Sequence, residues 1–465
     1  MLRLLTRAFS VRRVGLILVE HALIVLSVIV AAIIRLGLPD PPLSVFAEWA
    51  GRAVLVAAVL QMCLHYADLY ELHKLADRRD LLMGLVRALG AASVILALLY
   101  YVVPELIIGR GVFALATVMI IAFLAGWRMA FDWLSMHGNP TERLLIVGTG
   151  PAAVSLGREL FDRRSELGVE LVGFVDADPA KVGMPVVNPG VIGTVQDIPS
   201  LVGSRRVDRV VVSLADARGK LNMDELLAMK LNHGVRFDHL ASVYEQYTSK
   251  IAVENLRPSW MIFSDGFRKT ALLEVAKRLS DIVLAFIGLV MSAPITALAT
   301  VAVRLSSPGP VFYTQTRVGL NGTHFTIYKL RSMRADAEVG TGAVWSKQND
   351  PRVTSVGRFL RRTRIDELPQ LWNVLRGDMS FVGPRPERPE FVADLTRQIP
   401  FYGQRHVVRP GLTGWAQVRH RYGASVDDSQ EKLQYDLFYI KHMSLGFDLY
   451  ILLETVKTVL VGSGS

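Results

Sequence analysis

Ile282-Val-Leu-Ala-Phe-Ile-Gly-Leu-Val-Met-Ser-Ala-Pro-Ile-Thr-Ala-Leu-Ala-Thr-Val-Ala-Val303 runs for 22 residues without a charge, long enough for a helix to cross a bilayer. Its reading decides on which side of the membrane everything after it lies. Pro294 falls near the middle, where it removes a backbone donor and breaks or kinks a helix. Lys277 and Arg278 precede the run and Arg304 follows it, as expected when both ends return to one face. The spacing therefore predicts a re-entrant helix–break–helix over about 279–303. A fifth spanning helix with a proline kink is the alternative.

Upstream, residues 14–34 form a mostly apolar run and residues 111–127 contain no charge. Two weaker apolar stretches, 43–64 and 81–103, lie between them and complete four expected spans. Arg3, Arg7, Arg12 and Arg13 precede the first span; Lys74, Arg78 and Arg79 separate the second from the third. Arg128 and Arg143 follow the fourth, whereas the opposite loops offer only Arg35 and Arg110. That asymmetry puts the N-terminus and residue 140 in the cytoplasm. Glu20 and His21 lie inside the first span and mark either a functional polar site, a helix–helix contact or a headgroup-level position.

Hydrophobic residues at 51% and a mean hydropathy of +0.33 agree with a membrane protein. A formal charge of +10 and a pI near 9.7 suit anionic headgroups and phosphorylated substrates. No helix-turn-helix, zinc-finger or RNP pattern points to nucleic acid. Cys63 is the single cysteine, which excludes an intramolecular disulfide and a multi-cysteine metal site. The first apolar run is too long for a signal peptide and lacks a cleavage signal.

From Glu142 the pattern turns α/β. Strands are expected at 143–147, 170–175 and 207–213, with Gly148-Thr-Gly150-Pro-Ala-Ala153 opening a helix to about Leu160. This segment resembles the Rossmann-like, CoA-binding-type domain of membrane-bound sugar enzymes. Gly148 and Gly150 are its candidate nucleotide contacts, and Asp176 stands where a ribose ligand could stand. A structural or regulatory role is the alternative.

Arg361-Arg-Thr-Arg-Ile-Asp-Glu-Leu-Pro-Gln-Leu371 and Gly383-Pro-Arg-Pro386 carry the chemistry. Adjacent carboxylates among arginines suit a nucleophile and a metal ligand acting on a phosphate ester held by guanidinium groups. A carboxylate of this pair can attack as it stands, since no proton needs removal, and Mg²⁺ with arginines and lysine would neutralise the phosphates. Pro369 predicts a helix starting at or near 369, with the dyad at its entry and free N–H groups facing a phosphate; Gly377 is its stop. The bland reading is a Thr363-x-x-Asp366 capping motif. Lys329 and Arg331 alternate with Tyr328 and Leu330, as in a strand facing a cleft. Pro384 and Pro386 stiffen the backbone around Arg385. Arg352 and Arg358 are expected to be solvated or to face headgroups. Trp345 and Trp415 suit base stacking, the interface or core packing.

From Lys277 to about Val461 the chain closely resembles the bacterial sugar transferase family, the polyprenyl-phosphate hexose-1-phosphate transferases. The matching words are Lys277-Arg-Leu-Ser-Asp281, Ser307-Pro-Gly-Pro-Val-Phe312, Gln315-Thr-Arg-Val-Gly319 and Tyr328-Lys-Leu-Arg-Ser-Met333. They continue with Asp366-Glu-Leu-Pro-Gln-Leu371, Asn373-Val-Leu-Arg-Gly-Asp-Met-Ser380, Val382-Gly-Pro-Arg-Pro386 and Arg409-Pro-Gly-Leu-Thr-Gly-Trp-Ala-Gln417. The spans and Rossmann-like segment ahead of them look like the long, exopolysaccharide-type members.

The resemblance implies transfer of a hexose-1-phosphate from a UDP-sugar to undecaprenyl phosphate, with UMP released, at the cytoplasmic face of a bacterial inner membrane. It assigns Asp366 as the nucleophile that carries the phosphosugar and Glu367 as associated with Mg²⁺. It assigns phosphate handling to Lys329, Arg361, Arg385 and Arg421. Arg419-His420-Arg421 departs from the family's Asn-Gly-Arg and puts base or sugar contacts there in question. The expected architecture is a multi-domain α/β membrane protein. Four transmembrane helices occupy 1–136, a Rossmann-like α/β domain 137–265, and a mainly helical catalytic domain with the re-entrant membrane helix 271–465. Expected partners are membrane lipids, a second copy of the chain and other glycan-assembly enzymes. The rival readings are an NAD-dependent nucleotide-sugar dehydratase or epimerase, which needs a second dinucleotide domain with Tyr-x-x-x-Lys, and a non-catalytic scaffold.

Overall fold

The computed structural model describes residues 11–37, 43–67, 69–70, 78–137, 142–212, 223–253, 256, 261, 266–267, 269–334, 337, 350–420 and 425–461. The chain divides into two compact units, Leu2–Tyr247 and Thr248–Ser465.

The first unit begins with four helices: α1 (Val11–Leu36), α2 (Leu43–Tyr66), α3 (Arg78–Val102) and α4 (Arg110–His137). Their stretches Val14–Leu36, Trp49–Tyr66, Met83–Val102 and Arg110–Phe131 are each long and apolar enough to cross a membrane. Leu16, Ile24 and Val28 of α1 pack with Ala53, Ala57 and Leu60 of α2 and with Leu124 of α4. Leu18, Val94, Leu98 and Val118 point outward and stay exposed. An apolar exterior around an apolar interior is what a lipid-facing bundle requires.

Glu20 belongs to a helix–helix contact. The Arg128 Nε donates to Glu20 Oε1 at 2.6 Å and Nη2 to Oε2 at 3.0 Å, while Nη1 donates to Leu69 O at 2.8 Å. His21 Nδ1 lies 2.8 Å from Gln61 Oε1, and Gln61 Nε2 donates to Ile17 O. The bidentate pair is fully desolvated, so removing one partner leaves a buried charge. Glu20→Ala is expected to destabilise this unit by about 3–5 kcal/mol, whereas Glu20→Leu with Arg128→Met recovers most of the loss. Thermal melts in detergent check this, and a double variant no more stable than the single one would contradict it.

The same unit continues with β1 (Glu142–Val147), α5 (Pro151–Asp162), α6 (Arg164–Leu167), β2 (Val169–Asp176), β3 (Val191–Thr194), α7 (Ile198–Arg205), β4 (Arg209–Val212), α8 (Met223–His233), β5 (Arg236–His239) and α9 (Leu240–Thr248). The five strands form one parallel sheet in the order β3-β2-β1-β4-β5. β1 and β4 are buried almost throughout, as strands covered on both faces are. The strand order reverses at β1, and Gly148, with φ +101°, follows it at this switch point. Ala153 replaces the third glycine of the fingerprint, and Gly157 supplies the close helix–sheet approach: a Cβ there would run into the Phe174 ring. β3 and β5 are four residues each and hold no apolar run to reveal them. The strand expected third in sequence is therefore the fourth.

The second unit is organised on α10 (Ala271–Ser306), a helix of 36 residues, about 54 Å long. Its helical structure continues through Pro294, which corrects the expected break. Residues on both sides of the proline are buried against the unit. Ala285 meets Ile327, Val374 and Met379, while Ala299 and Val303 meet Leu330 and Leu360. Leu272, Phe286, Met291, Leu298 and Leu305 on the outer side are exposed. Asp281 is buried and accepts from Ser380 Oγ (3.1 Å) and Phe381 N (3.0 Å).

After α10 come the antiparallel hairpin β6 (Phe312–Val318) and β7 (His324–Leu330), α11 (Ser355–Arg362), a 3₁₀ turn (Ile365–Glu367), α12 (Gln370–Arg376), β8 (Ser380–Val382), α13 (Pro389–Gln398), a longer 3₁₀ stretch (Tyr402–Val407), β9 (Gly411–Thr413), α14 (Trp415–Arg419), α15 (Val426–His442) and α16 (Leu445–Val461). β8 and β9 pair in parallel. Trp415 is core: it is buried among Tyr435, Phe438, Phe447 and Tyr450 and donates to Ser249 O. α16 packs through Asp448, which accepts from Lys277 Nζ (2.5 Å) and Tyr439 OH (2.8 Å). Its Leu449, Leu453 and Val456 remain exposed. Trp345, Arg421, Arg3, Arg7 and Lys74 lie outside the described residues.

Candidate active site

The local sequence builds the dyad's position in three steps. Thr354 caps α11, its Oγ1 accepting from Gly357 N at 2.9 Å. Gly357 is needed because a Cβ there would strike the Ser332 carbonyl, so helix and strand end lie in direct contact. α11 ends at Thr363, whose hydroxyl turns back to Phe359 O (2.8 Å) and Leu360 O (3.2 Å). Thr363 therefore closes the preceding helix and does not cap Asp366.

Arg364 then takes the left-handed conformation, φ +57° and ψ +15°, a position where glycine is the usual residue and an L side chain costs about 1 kcal/mol. This reversal carries Asp366 and Glu367 into a 3₁₀ turn, and α12 follows Pro369 as the proline predicted. Gly377, φ +102°, ends that helix. The free N–H groups expected at its entry are committed: Glu367 N, Leu368 N, Leu371 N and Trp372 N all bond to carbonyls three or fewer residues back. Tightening into 3₁₀ geometry uses them up.

Glu367 is the electrostatic centre. Its Oε1 lies 2.9 Å from Lys329 Nζ, 3.1 Å from Arg385 Nη2 and 3.9 Å from Arg364 Nη1. Burial alone works against its charge, but Lys329, Arg385 and Arg364 outweigh it and hold its pKa far below the usual carboxylate range. Asp366 behaves oppositely. Burial first, and the Glu367 charge second, push its pKa up to about 6, against the pull of Lys329, Arg361 and Arg364. Its Oδ1 is buried and has no hydrogen-bond partner among the described residues. The two adjacent carboxylates therefore titrate in widely separated ranges. Four cations against these two carboxylates leave the site with a net charge of +2.

Separate elements deliver the cations. Lys329 comes from β7, which Asn373 of α12 ties down: Tyr328 N donates to its Oδ1 (3.2 Å), and its Nδ2 donates to Thr326 O (2.7 Å). Arg385 sits on a rigid loop. Gly383 N donates to Thr413 O and Gly411 N to Pro384 O, each at 2.9 Å. Arg317 Nη1 binds Pro386 O (3.0 Å), and Arg405 Nη2 binds Arg385 O (3.1 Å) while pairing with the buried Asp436 at 2.8 Å. Arg361 Nε donates to Ser332 Oγ at 2.8 Å. Arg278 from α10 caps α12 by donating to Val374 O and Leu375 O.

The remaining basic residues divide. Arg331 is buried and binds Ser307 O and Pro308 O, so it locks the exit of α10 and does not face a cleft. Arg352 is not solvated; it chelates Asp350 at 2.6 Å because two residues suffice to close that loop. Arg358 is exposed, as expected. Arg364, Asn373, Arg317, Arg405 and Asp281 carry structural or electrostatic weight that sequence reasoning did not assign. Only Arg364 had a local signal, its place two residues before the nucleophile candidate.

In the first unit, Asp176 accepts from Thr149 Oγ1 (2.6 Å) and lies 3.1 Å from Lys181 Nζ. Burial pushes its pKa up, but those contacts and the Asp178 N–H more than reverse that. The carboxylate proposed for a ribose thus holds an internal cluster beside Gly148 and Gly150.

Residues 272–462 match the bacterial sugar transferase family, and residues 65–237 match the CoA-binding domain family. A UDP-glucose:undecaprenyl-phosphate glucose-1-phosphate transferase of Xanthomonas campestris pv. campestris is 31% identical over 441 residues, 90% of this chain and 89% of that protein. The chain belongs to the bacterial sugar transferase family. It is accordingly an enzyme, a transferase. An Escherichia coli (strain K12) protein of the same description is 32% identical over 74% of this chain and 73% of its own length. A UDP-N-acetylgalactosamine-undecaprenyl-phosphate N-acetylgalactosaminephosphotransferase of Aeromonas hydrophila is 40% identical over 58% of this chain; the match spans 62% of that protein.

Asp366 also sets a stability signature. Its folded pKa of about 6 exceeds its ordinary 3.8, so burial of the carboxylate is without penalty below the lower value and costs progressively more up to the higher. Two units correspond to about 2–3 kcal/mol. Asp366→Asn should therefore raise the melting temperature at pH 7, with the gain shrinking as pH falls from 6 towards 4; an equal gain at both ends would contradict the assigned burial cost.

Proposed function

We propose that the transferase moves a sugar-1-phosphate, from a UDP-hexose or UDP-N-acetylhexosamine, onto undecaprenyl phosphate through a covalent aspartyl intermediate. The observation that carries this reading is the buried, unpartnered Oδ1 of Asp366 beside a Glu367 pinned by Lys329 and Arg385. Asp366, ionised above about pH 6, attacks the phosphorus joined to the sugar. A carboxylate–phosphorus bond forms, the bond to the second phosphate breaks, and UMP departs with the electron pair. An oxygen of the lipid phosphate then attacks the same phosphorus, the aspartyl bond breaks, and the carboxylate is restored. Lys329, Arg361 and Arg385 bind and orient the anions through charge-assisted contacts. Arg421 joins them by motif position.

Mg²⁺ belongs to this proposal. Among the described residues no three His, Cys, Asp or Glu gather into a metal site, and Mg²⁺ characteristically needs only one or two carboxylates beside substrate phosphates. Glu367 and Asp366 would hold it, and when bound it neutralises phosphate charge. The donor sugar is open, since the relatives' descriptions name both glucose and N-acetylgalactosamine.

The proposed setting is a bacterial inner membrane. Helices α1 to α4 span it, and α10, bending at Pro294 while staying helical, enters and leaves on the cytoplasmic face. Support for the re-entrant path comes from α10 itself: Arg278 and Asp281 before Pro294, and Ala299 and Val303 after it, contact the same unit. A helix crossing the bilayer would drag that packed unit through it. The Rossmann-like sheet is accessory in this reading, and self-association and contacts with other glycan-assembly enzymes complete it. Among the described residues after Ala271 the sheets are two two-stranded pairs, which leaves the dehydratase alternative without its second dinucleotide domain.

Wild-type protein given radiolabelled UDP-glucose and UDP-N-acetylgalactosamine should become labelled without acceptor and release UMP, while Asp366→Asn stays unlabelled. Labelling of that variant at the wild-type level would remove Asp366 from its role. For the wild type, kcat/KM for the donor should fall as pH drops below about 6, because protonation of Asp366 silences the nucleophile. In intact cells, tags at the N-terminus and after α16 should both be protected from outside reagents; reaction of the second tag alone would overturn the re-entrant path.

A further inference from the structure

Arg364 lies outside the basic set that the motifs single out, yet three observations give it a task. Its backbone is left-handed, φ +57°, where glycine relieves the strain; such strain persists chiefly at functional positions. It faces Glu367 Oε1 from 3.9 Å, beyond hydrogen-bond distance, while Lys329 and Arg385 already bond to that same oxygen. About a third of its side chain (34%) is exposed, so part of the group beside the dyad is open to an incoming anion.

Arg364 precedes the 3₁₀ turn directly, and its Nη1 lies 3.9 Å from Glu367 Oε1, so its guanidinium is on the dyad's own side. It is one of the four cations that leave the site with a net charge of +2, the complement of a diphosphate. We propose that Arg364 is a further substrate-phosphate ligand, taking an oxygen of either the donor diphosphate or the acceptor phosphate. The assignment rests on the transfer chemistry proposed above. The left-handed backbone is retained because glycine, though less strained, brings no guanidinium to the phosphate.

The test uses the full chain in detergent with Arg364→Gly, Arg364→Gln and Arg364→Lys. Arg364→Gly should melt above the wild type yet lose at least about tenfold in kcat/KM, with Arg364→Lys retaining more activity than Arg364→Gln. Slower labelling by donor without acceptor identifies the donor diphosphate. Normal labelling with a raised KM for undecaprenyl phosphate in the chase identifies the acceptor. Wild-type rates in both steps for Arg364→Gly, or losses in all three variants that follow a lowered melting temperature, would overturn the proposal. A wild type that releases no UMP would instead remove the transfer chemistry. In that case stabilisation by Mg²⁺ and inorganic pyrophosphate of the wild type but not of Arg364→Gly still marks an anion ligand, and equal stabilisation overturns it.

Discussion

The ion cluster on Glu367 is the constraint from which the rest of the site takes its shape. One carboxylate oxygen receives Lys329 from a hairpin strand and Arg385 from a loop after another strand. The carboxylate itself comes from a turn between two helices. Each partner is mostly removed from water, so the cluster stabilises the unit only while all three elements are in place. That demand explains how much of the surrounding structure is devoted to the backbone. Asn373 joins α12 to β7, and Arg317 and Arg405 grip the loop of Arg385 from two sides.

Asp366 beside the cluster keeps a buried oxygen without a partner among the described residues, and burial, with the Glu367 charge second, raises its pKa against the pull of the cations. A folded protein satisfies nearly all its buried polar atoms, so an orphaned carboxylate oxygen in the field of Lys329, Arg361 and Arg364 is a local conflict that suits chemistry better than stability. The left-handed Arg364 two residues before it is a second conflict of the same kind.

The apolar helix and the polar site are one construction. Arg278 caps α12 directly after the dyad, Asp281 binds the start of β8, and Arg331 closes over the residues that follow α10. The exposed apolar Leu272, Phe286, Met291 and Leu298 are thus mechanically joined to the residues that, in the proposed reaction, handle phosphates.

Much of this was legible in the chain. Asp366, Glu367, Lys329 and Arg385 stand in short words whose chemistry is local, and the apolar runs, β1, the helix start at Pro369 and the stop at Gly377 follow from composition and backbone rules. β3 and β5 were not legible, because Gly193 and Thr194 in one and Arg236, Asp238 and His239 in the other leave no apolar run, whereas the equally short β4 reads through its three consecutive valines. The continuous course of α10 through Pro294 was decided by Ala285 and Ala299 packing against partners far along the chain, which a propensity cannot see. Likewise a basic residue's type does not reveal its fate. Arg331 is a buried clamp, Arg352 a local chelate and Arg364 a member of the dyad's field. Residue identity determined which charges exist and where helices begin and end. Only the tertiary fold decided which charges meet, because burial and distance set the strength of every ion pair and neither is a property of the sequence alone.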